Sequence, residues 1–148
     1  MGFSRRLAFI AGSALQIALL FYELPLNAAS ALAAWKLGSD GVLKLRTSRG
    51  AQLKAYFQYA QSGKGDRVWI DFPGELVRPR RLSGNGPVHE IRLGKPRKGH
   101  TRLVVEFKES ISINPNELKL VGISDDQWEM KFVGLPTVDL RSIGEGNL

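Results

Sequence analysis

The sequence has no cysteine, and only two histidines and two methionines, in 148 residues. Without cysteine there can be no disulfide and no thiolate nucleophile. With His89 and His100 as the only imidazoles, a typical catalytic zinc site of three protein ligands and one open position lacks its ligands. No serine lies in a nucleophile-elbow context. Gly63, Gly65 and Gly74 are spaced as turn glycines, not as a phosphate-cradling loop. Asp71 and Glu106 could be imagined as a glycosidase pair, which would have to face each other across a cleft. Each has an arginine on its own strand (Arg67, Arg102), so cross-strand ion pairing is the more natural use. The expectations are therefore no metal, no cofactor and no catalysis. Long apolar runs are also lacking: the charge-free stretch from Leu7 to Phe21 falls short of the roughly 20 residues that span a bilayer. No window offers an amphipathic helix.

That stretch belongs to an N-terminal pattern of its own. Arg5 and Arg6 precede it, Glu23 and Pro25 end it, and small residues follow from Ala28 to Ala34. This is the region order of a secretory signal peptide. Two sites satisfy the small-x-small rule, after Ala31 and after Ala33. The expectation is a cleaved signal over residues 1–33, export to the periplasm, and membrane contact only through this segment if it stays uncleaved. Ser4-Arg5-Arg6 is a weak match to a twin-arginine signal and reads as ordinary n-region charge.

Charge is lopsided: 21 Lys and Arg stand against 14 Asp and Glu, a net +7. Removing residues 1–33 takes away Arg5, Arg6 and Glu23 and leaves +6. A basic surface favours polyanions such as nucleic acid, acidic lipid or an anionic wall polymer. A small basic β-rich chain with strand aromatics also suits single-stranded nucleic acid, but the export signal removes it from that compartment.

From Trp35 onward, short runs of β-branched, aromatic and leucine residues alternate with turn clusters such as Asp40-Gly41, Arg49-Gly50, Ser62-Gly63-Lys64-Gly65, Asn85-Gly86-Pro87 and Asp125-Asp126. The spacing predicts eight short strands, at 35–39, 42–48, 52–60, 67–72, 88–94, 101–108, 117–123 and 127–133. The predicted fold is all-β, a sandwich or barrel. Alternation divides each strand into a core face and a wet face. Val68, Ile70 and Phe72 share one face against Arg67, Trp69 and Asp71; Leu103, Val105 and Phe107 oppose Arg102, Val104 and Glu106; Leu53, Ala55, Phe57 and Tyr59 point together. By parity His89 joins Ile91 and Leu93, while His100 lies in a solvated turn. Residues 67–72 and 102–107 match in character at each position, which suggests two related half-domains each supplying a sheet. Residues 136–148 read as a flexible C-terminal tail.

Three segments in this order carry a resemblance: Asp66-Arg67-Val68-Trp69-Ile70-Asp71-Phe72-Pro73-Gly74, Val88-His89-Glu90-Ile91-Arg92-Leu93-Gly94 and Thr101-Arg102-Leu103-Val104-Val105-Glu106-Phe107. Residues 34–135 resemble the AMIN domain, the non-catalytic module of periplasmic cell-wall amidases and type IV pilus secretins, with a cyanobacterial flavour. The resemblance implies a sandwich of two small, pseudo-symmetric antiparallel sheets. It also implies localisation to peptidoglycan, often at division sites. As an alternative, the resemblance permits a protein-interaction role toward an amidase, a division complex or a secretin.

The candidate peptidoglycan-binding residues are Arg46, Arg67, Trp69, Asp71, Arg92, Arg102 and Glu106, all on outward parity. Lys44, Lys54 and Tyr56 share that parity, and Arg78, Arg80, Arg81, Lys95, Arg97 and Lys98 fall in adjoining loops. Arginine can bind stem-peptide carboxylates as a fork, and a ring such as Trp69 can carry a sugar face. Taken singly, each arginine is also a natural partner for Asp71, Glu90 or Glu106.

Overall fold

A computed structural model describes residues 28–148. The n-region and apolar core of the predicted signal lie outside the described residues. In chain order the strands are β1 (Leu32–Leu37), β2 (Val42–Thr47), β3 (Lys54–Gln58), β4 (Arg67–Pro73), β5 (Arg80–Ser83), β6 (Val88–Gly94), β7 (His100–Phe107), β8 (Leu120–Ser124), β9 (Gln127–Lys131) and β10 (Ile143–Glu145). They form two antiparallel five-stranded sheets, ordered β10-β1-β2-β9-β8 and β3-β4-β7-β6-β5. The protein is all-β, a sandwich of two sheets.

The sheets are related. Taken from β8, the first runs 8-9-2-1-10 and the second 3-4-7-6-5. Adding five to each strand number of the second, counted around the chain, produces the first. One topology is thus used twice, circularly shifted. The matching segments 67–72 and 102–107 do not generate this symmetry. They are β4 and β7, neighbours in one sheet. Running antiparallel, they set Arg67 opposite Glu106 and Asp71 opposite Arg102. Their likeness reflects a shared environment, an Arg and an acid four residues apart facing their counterparts on the next strand.

Alternation sorts the side chains as expected of half-buried strands. Trp35, Leu37, Leu43, Leu45, Trp128, Met130 and Leu120 line the inner face of the first sheet; Val68, Ile70, Phe72, Leu103, Val105 and Phe107 line that of the second. The rings of Phe107 and Phe132 meet edge-on at 5.1 Å and join the two layers. Parity fails at two places. A bulge in β6 between Val88 and Glu90 turns His89 outward, as an inserted residue resets the alternation. Tyr59, beyond the end of β3, is exposed.

Both ends of the described fold depart from the predicted boundaries. The backbone from Ala28 to Ala31 is bonded into the fold: the Glu75 N–H donates to the Ala28 carbonyl at 2.8 Å, and the Ala31 N–H to Pro73 at 2.8 Å. A domain start at residue 34 would cut through β1, which begins at Leu32. Gly74 makes this docking possible. Its φ is +83°, and a Cβ there would stand 2.1 Å from the Ala29 carbonyl oxygen. Gly74→Ala is expected to cost about 2 kcal/mol or more, through left-handed strain together with this clash. A lowered urea midpoint at unchanged slope is the readout.

At the other end, residues 136–148 are not a loose tail. They contain β10, which pairs with β1, and they bury Leu140 and Ile143. Glu145 accepts from the Trp35 indole N–H at 3.1 Å and from Arg80 at 2.6 Å, linking the two sheets. Arg80 and Arg81 belong to strand β5, not to a loop.

Candidate ligand-binding face

The outer face of the second sheet gathers six of the seven predicted site residues. Strand register arranges them in rows. One row reads Gln58, Arg67, Glu106, Glu90; the next Tyr56, Trp69, Val104, Arg92, Arg81; the third Lys54, Asp71, Arg102, Gly94. Arg46 is elsewhere, on β2 of the first sheet between Ala34 and Gln127. It faces away from the other six, because its strand joins the opposite layer.

Most charges on this face answer one another. Arg102 grips Asp71 as a fork, with Nε to Oδ1 at 2.7 Å and Nη2 to Oδ2 at 2.9 Å. These hydrogen bonds hold the Arg102 pKa above the usual arginine value. Glu90 and Glu106 lie directly opposite each other, an unfavourable pairing for like charges. Arg92 bridges them through Nη1, at 2.7 and 2.9 Å. Burial works against the Arg92 charge, but the two carboxylates outweigh it and its pKa is raised. Glu106 is 5% exposed and has Arg92 as its near counter-charge at 2.9 Å, with His89 at 3.8 Å beyond. Arg67 donates to Gln58 at 2.8 Å.

The middle row carries an aromatic strip. Tyr56 and Trp69 stack with centroids 5.7 Å apart and planes 23° from parallel. The Arg102 guanidinium lies 5.2 Å from the Trp69 ring centre, a cation–π arrangement. The indole N–H of Trp69 is enclosed and, among the described residues, without a hydrogen-bond partner, so the residue offers ring surface and not a donor.

The strip lines a groove of about 860 Å³, within the usual size of ligand sites. Arg49 enters it from the crossover between the two sheets, Lys54 from edge strand β3, and Arg97 and His100 from the β6–β7 hairpin. That hairpin is anchored, since Gly99 N–H donates to the Glu75 carboxylate at 2.6 Å and Gly74 N–H to the Gly99 carbonyl at 2.8 Å. Arg97 Nε donates to His100 Nδ1 at 3.2 Å. A smaller hollow of about 400 Å³ adjoins across Arg102 and is walled by Arg81, Arg92 and Lys95.

Sequence reasoning placed Arg49 only in a turn and His100 only in a solvated loop. Their approach to Trp69 depends on contacts between segments far apart in the chain, and no local signal carries it. Among the described residues, no group of three or more His, Asp or Glu side chains is placed to hold a metal ion. No protein-family model, curated protein or solved structure matches the chain.

Proposed function

We propose that this chain is a non-catalytic targeting module of the cell envelope that binds peptidoglycan through the outer face of its second sheet. The observation that carries the reading is the Tyr56–Trp69–Arg102 strip inside a groove open along one side of the sandwich. Flat rings in a groove edged by Arg49, Lys54 and Arg97 suit a polymer that alternates sugar faces with carboxylates. The AMIN resemblance of residues 34–135 and the export signal point to the same compartment, the periplasm.

The ion pairs alter the choice of test. Removing Arg67, Arg92 and Arg102 together would strip Asp71 of its ion-pair partner and leave buried Glu106 with only His89 at 3.8 Å and Glu90 with only the more distant Arg81, so lost binding could follow from lost folding. Trp69→Ala is cleaner, because the ring stands on the outer face and its N–H has no partner to lose. The wild-type protein is expected to pellet with purified, protein-free sacculi at low salt and to be released at high salt. Trp69→Ala is expected to bind about tenfold more weakly, a loss of about 1.4 kcal/mol, with its thermal unfolding retained. Wild-type protein left in the supernatant at low salt would reject direct wall binding and turn the search to an envelope protein such as an amidase or a pilus secretin.

A further inference from the structure

The arginines that the sequence pattern nominates as anion binders are already engaged by acids of the same sheet. Among the described residues, Asp71 is the only carboxylate lining the 860 Å³ groove, and Arg102 holds both of its oxygens. Four cations line that groove, Arg49, Lys54, Arg97 and Arg102. Pairing Arg102 with Asp71 leaves three without a counter-charge. Among the described residues, no carboxylate lies within ion-pair distance of Arg49, Lys54 or Arg97.

The three come from separate parts of the chain, and each part is held by bonds of its own. The Arg49 turn is fixed by Gly50 N–H to the Asp125 carbonyl at 3.0 Å and Thr47 N–H to the Asp126 carbonyl at 2.8 Å. Lys54 is the first residue of β3, opposite Asp71. Arg97 is braced by His100 on the hairpin that Glu75 anchors. Like charges converging without compensation raise the potential of a concave site and favour an anion there. The smaller hollow across Arg102 differs. Its Arg80, Arg81, Arg92 and Arg102 all have acid partners, which leaves Lys95 as the one lining cation without an ion pair among the described residues.

We propose that Arg49, Lys54 and Arg97 form an anion subsite at the hairpin end of the groove, which takes a carboxylate carried by the same glycan whose ring lies on the Tyr56–Trp69 strip. The inference rests on the wall-binding reading and sharpens it. The recognised unit is an acidic sugar polymer, and the Arg–acid lattice of the sheet holds the platform in shape without itself contacting the acid. A neutral glycan would meet the strip but leave the three cations unanswered.

The test is sedimentation of the full-length chain with native sacculi and with sacculi whose carboxyl groups have been converted to amides. Two triple variants accompany it. One neutralises the subsite, Arg49→Gln, Lys54→Gln and Arg97→Gln. The other makes the same change of net charge on the opposite face, Lys36→Gln, Lys44→Gln and Lys131→Gln, all at exposed positions. Expected are retention of the wild type on native sacculi, at least about tenfold weaker retention on amidated sacculi, and a similar loss for the subsite variant but not for the opposite-face variant. Equal wild-type retention on native and amidated sacculi overturns the carboxylate subsite and leaves wall binding standing. Equal losses for the two triple variants also overturn it, since attraction would then follow overall charge. Failure of the wild type to bind native sacculi overturns the wall reading and the subsite together.

Discussion

A chain ending at Leu135 is expected to lose about 3–6 kcal/mol of stability, from the burial of Leu140 and Ile143 alone. The loss does not stop there. Strand β10 covers the edge of β1, and Glu145 supplies the acceptor for the Trp35 indole N–H as well as the partner of Arg80. Trp35 is 2% exposed, and an indole N–H without an acceptor at such a site adds its own penalty. A total of this size approaches the whole stability of a small domain, about 5–15 kcal/mol. Denaturant unfolding is expected to show a sharply lower midpoint or no cooperative transition. An unchanged midpoint would mean that residues 136–148 are only an appendage.

Replacing Asp66 with alanine is expected to cost about 3 kcal/mol. Asp66 is 6% exposed. Its carboxylate accepts from the Ala60 N–H and the Ile113 N–H, both at 2.8 Å. It therefore pins the loop after β3 and the loop after β7 to the start of β4. Alanine would leave two backbone donors unsatisfied, one of them buried, and each charge-assisted bond of this kind contributes roughly 1.5–3 kcal/mol. Asp71 offers the contrast. Its side chain is 18% exposed, it pairs with Arg102 on the outer face of the sheet, and among the described residues it accepts from no backbone N–H, so Asp71→Ala is expected to cost only about 1 kcal/mol. Chemical denaturation of the two variants side by side checks the difference; equal losses would contradict the structural role assigned to Asp66.

The local pattern of the chain made much of this legible. The period-two alternation in residues 67–72 and 102–107 identified which side chains are buried, and the structure buries Val68, Ile70, Phe72, Leu103, Val105 and Phe107. Eight of the ten strands lie within or overlap segments that read as strands. The two that did not are short. β5 is Arg80–Ser83, two arginines followed by a leucine and a serine, and β10 is the three residues Ile143–Glu145. Neither has enough apolar residues to show a period; each is a strand because a neighbour offers unpaired backbone groups to bond. His89 was misplaced for a related reason. A bulge answers to the partner strand, and nothing in Val88-His89-Glu90 announces it.

The candidate face divides along the same line. Arg67, Trp69 and Asp71, or Arg102 and Glu106, share a face by alternation within one strand, so their grouping follows from sequence alone. Arg46 has the same outward parity, yet it lies on the other sheet, because alternation assigns a side chain to a face and never a strand to a sheet. Likewise the sequence shows an excess of cations but not which of them are neutralised. Arg92 between Glu90 and Glu106, and Arg102 against Asp71, are settled by strand register.

By itself the sequence determined an all-β chain, the inward and outward sides of its main strands, and a basic wet face bearing Trp69. Only the tertiary structure decided the double use of one topology, the incorporation of residues 28–31 and 136–148, and the convergence of Arg49, Lys54 and Arg97 on one groove. The reason is physical. Burial preference and pleat are written residue by residue, whereas pairing and charge compensation are set between segments tens of residues apart, where many registers satisfy the same local pattern and only packing of the whole core selects one.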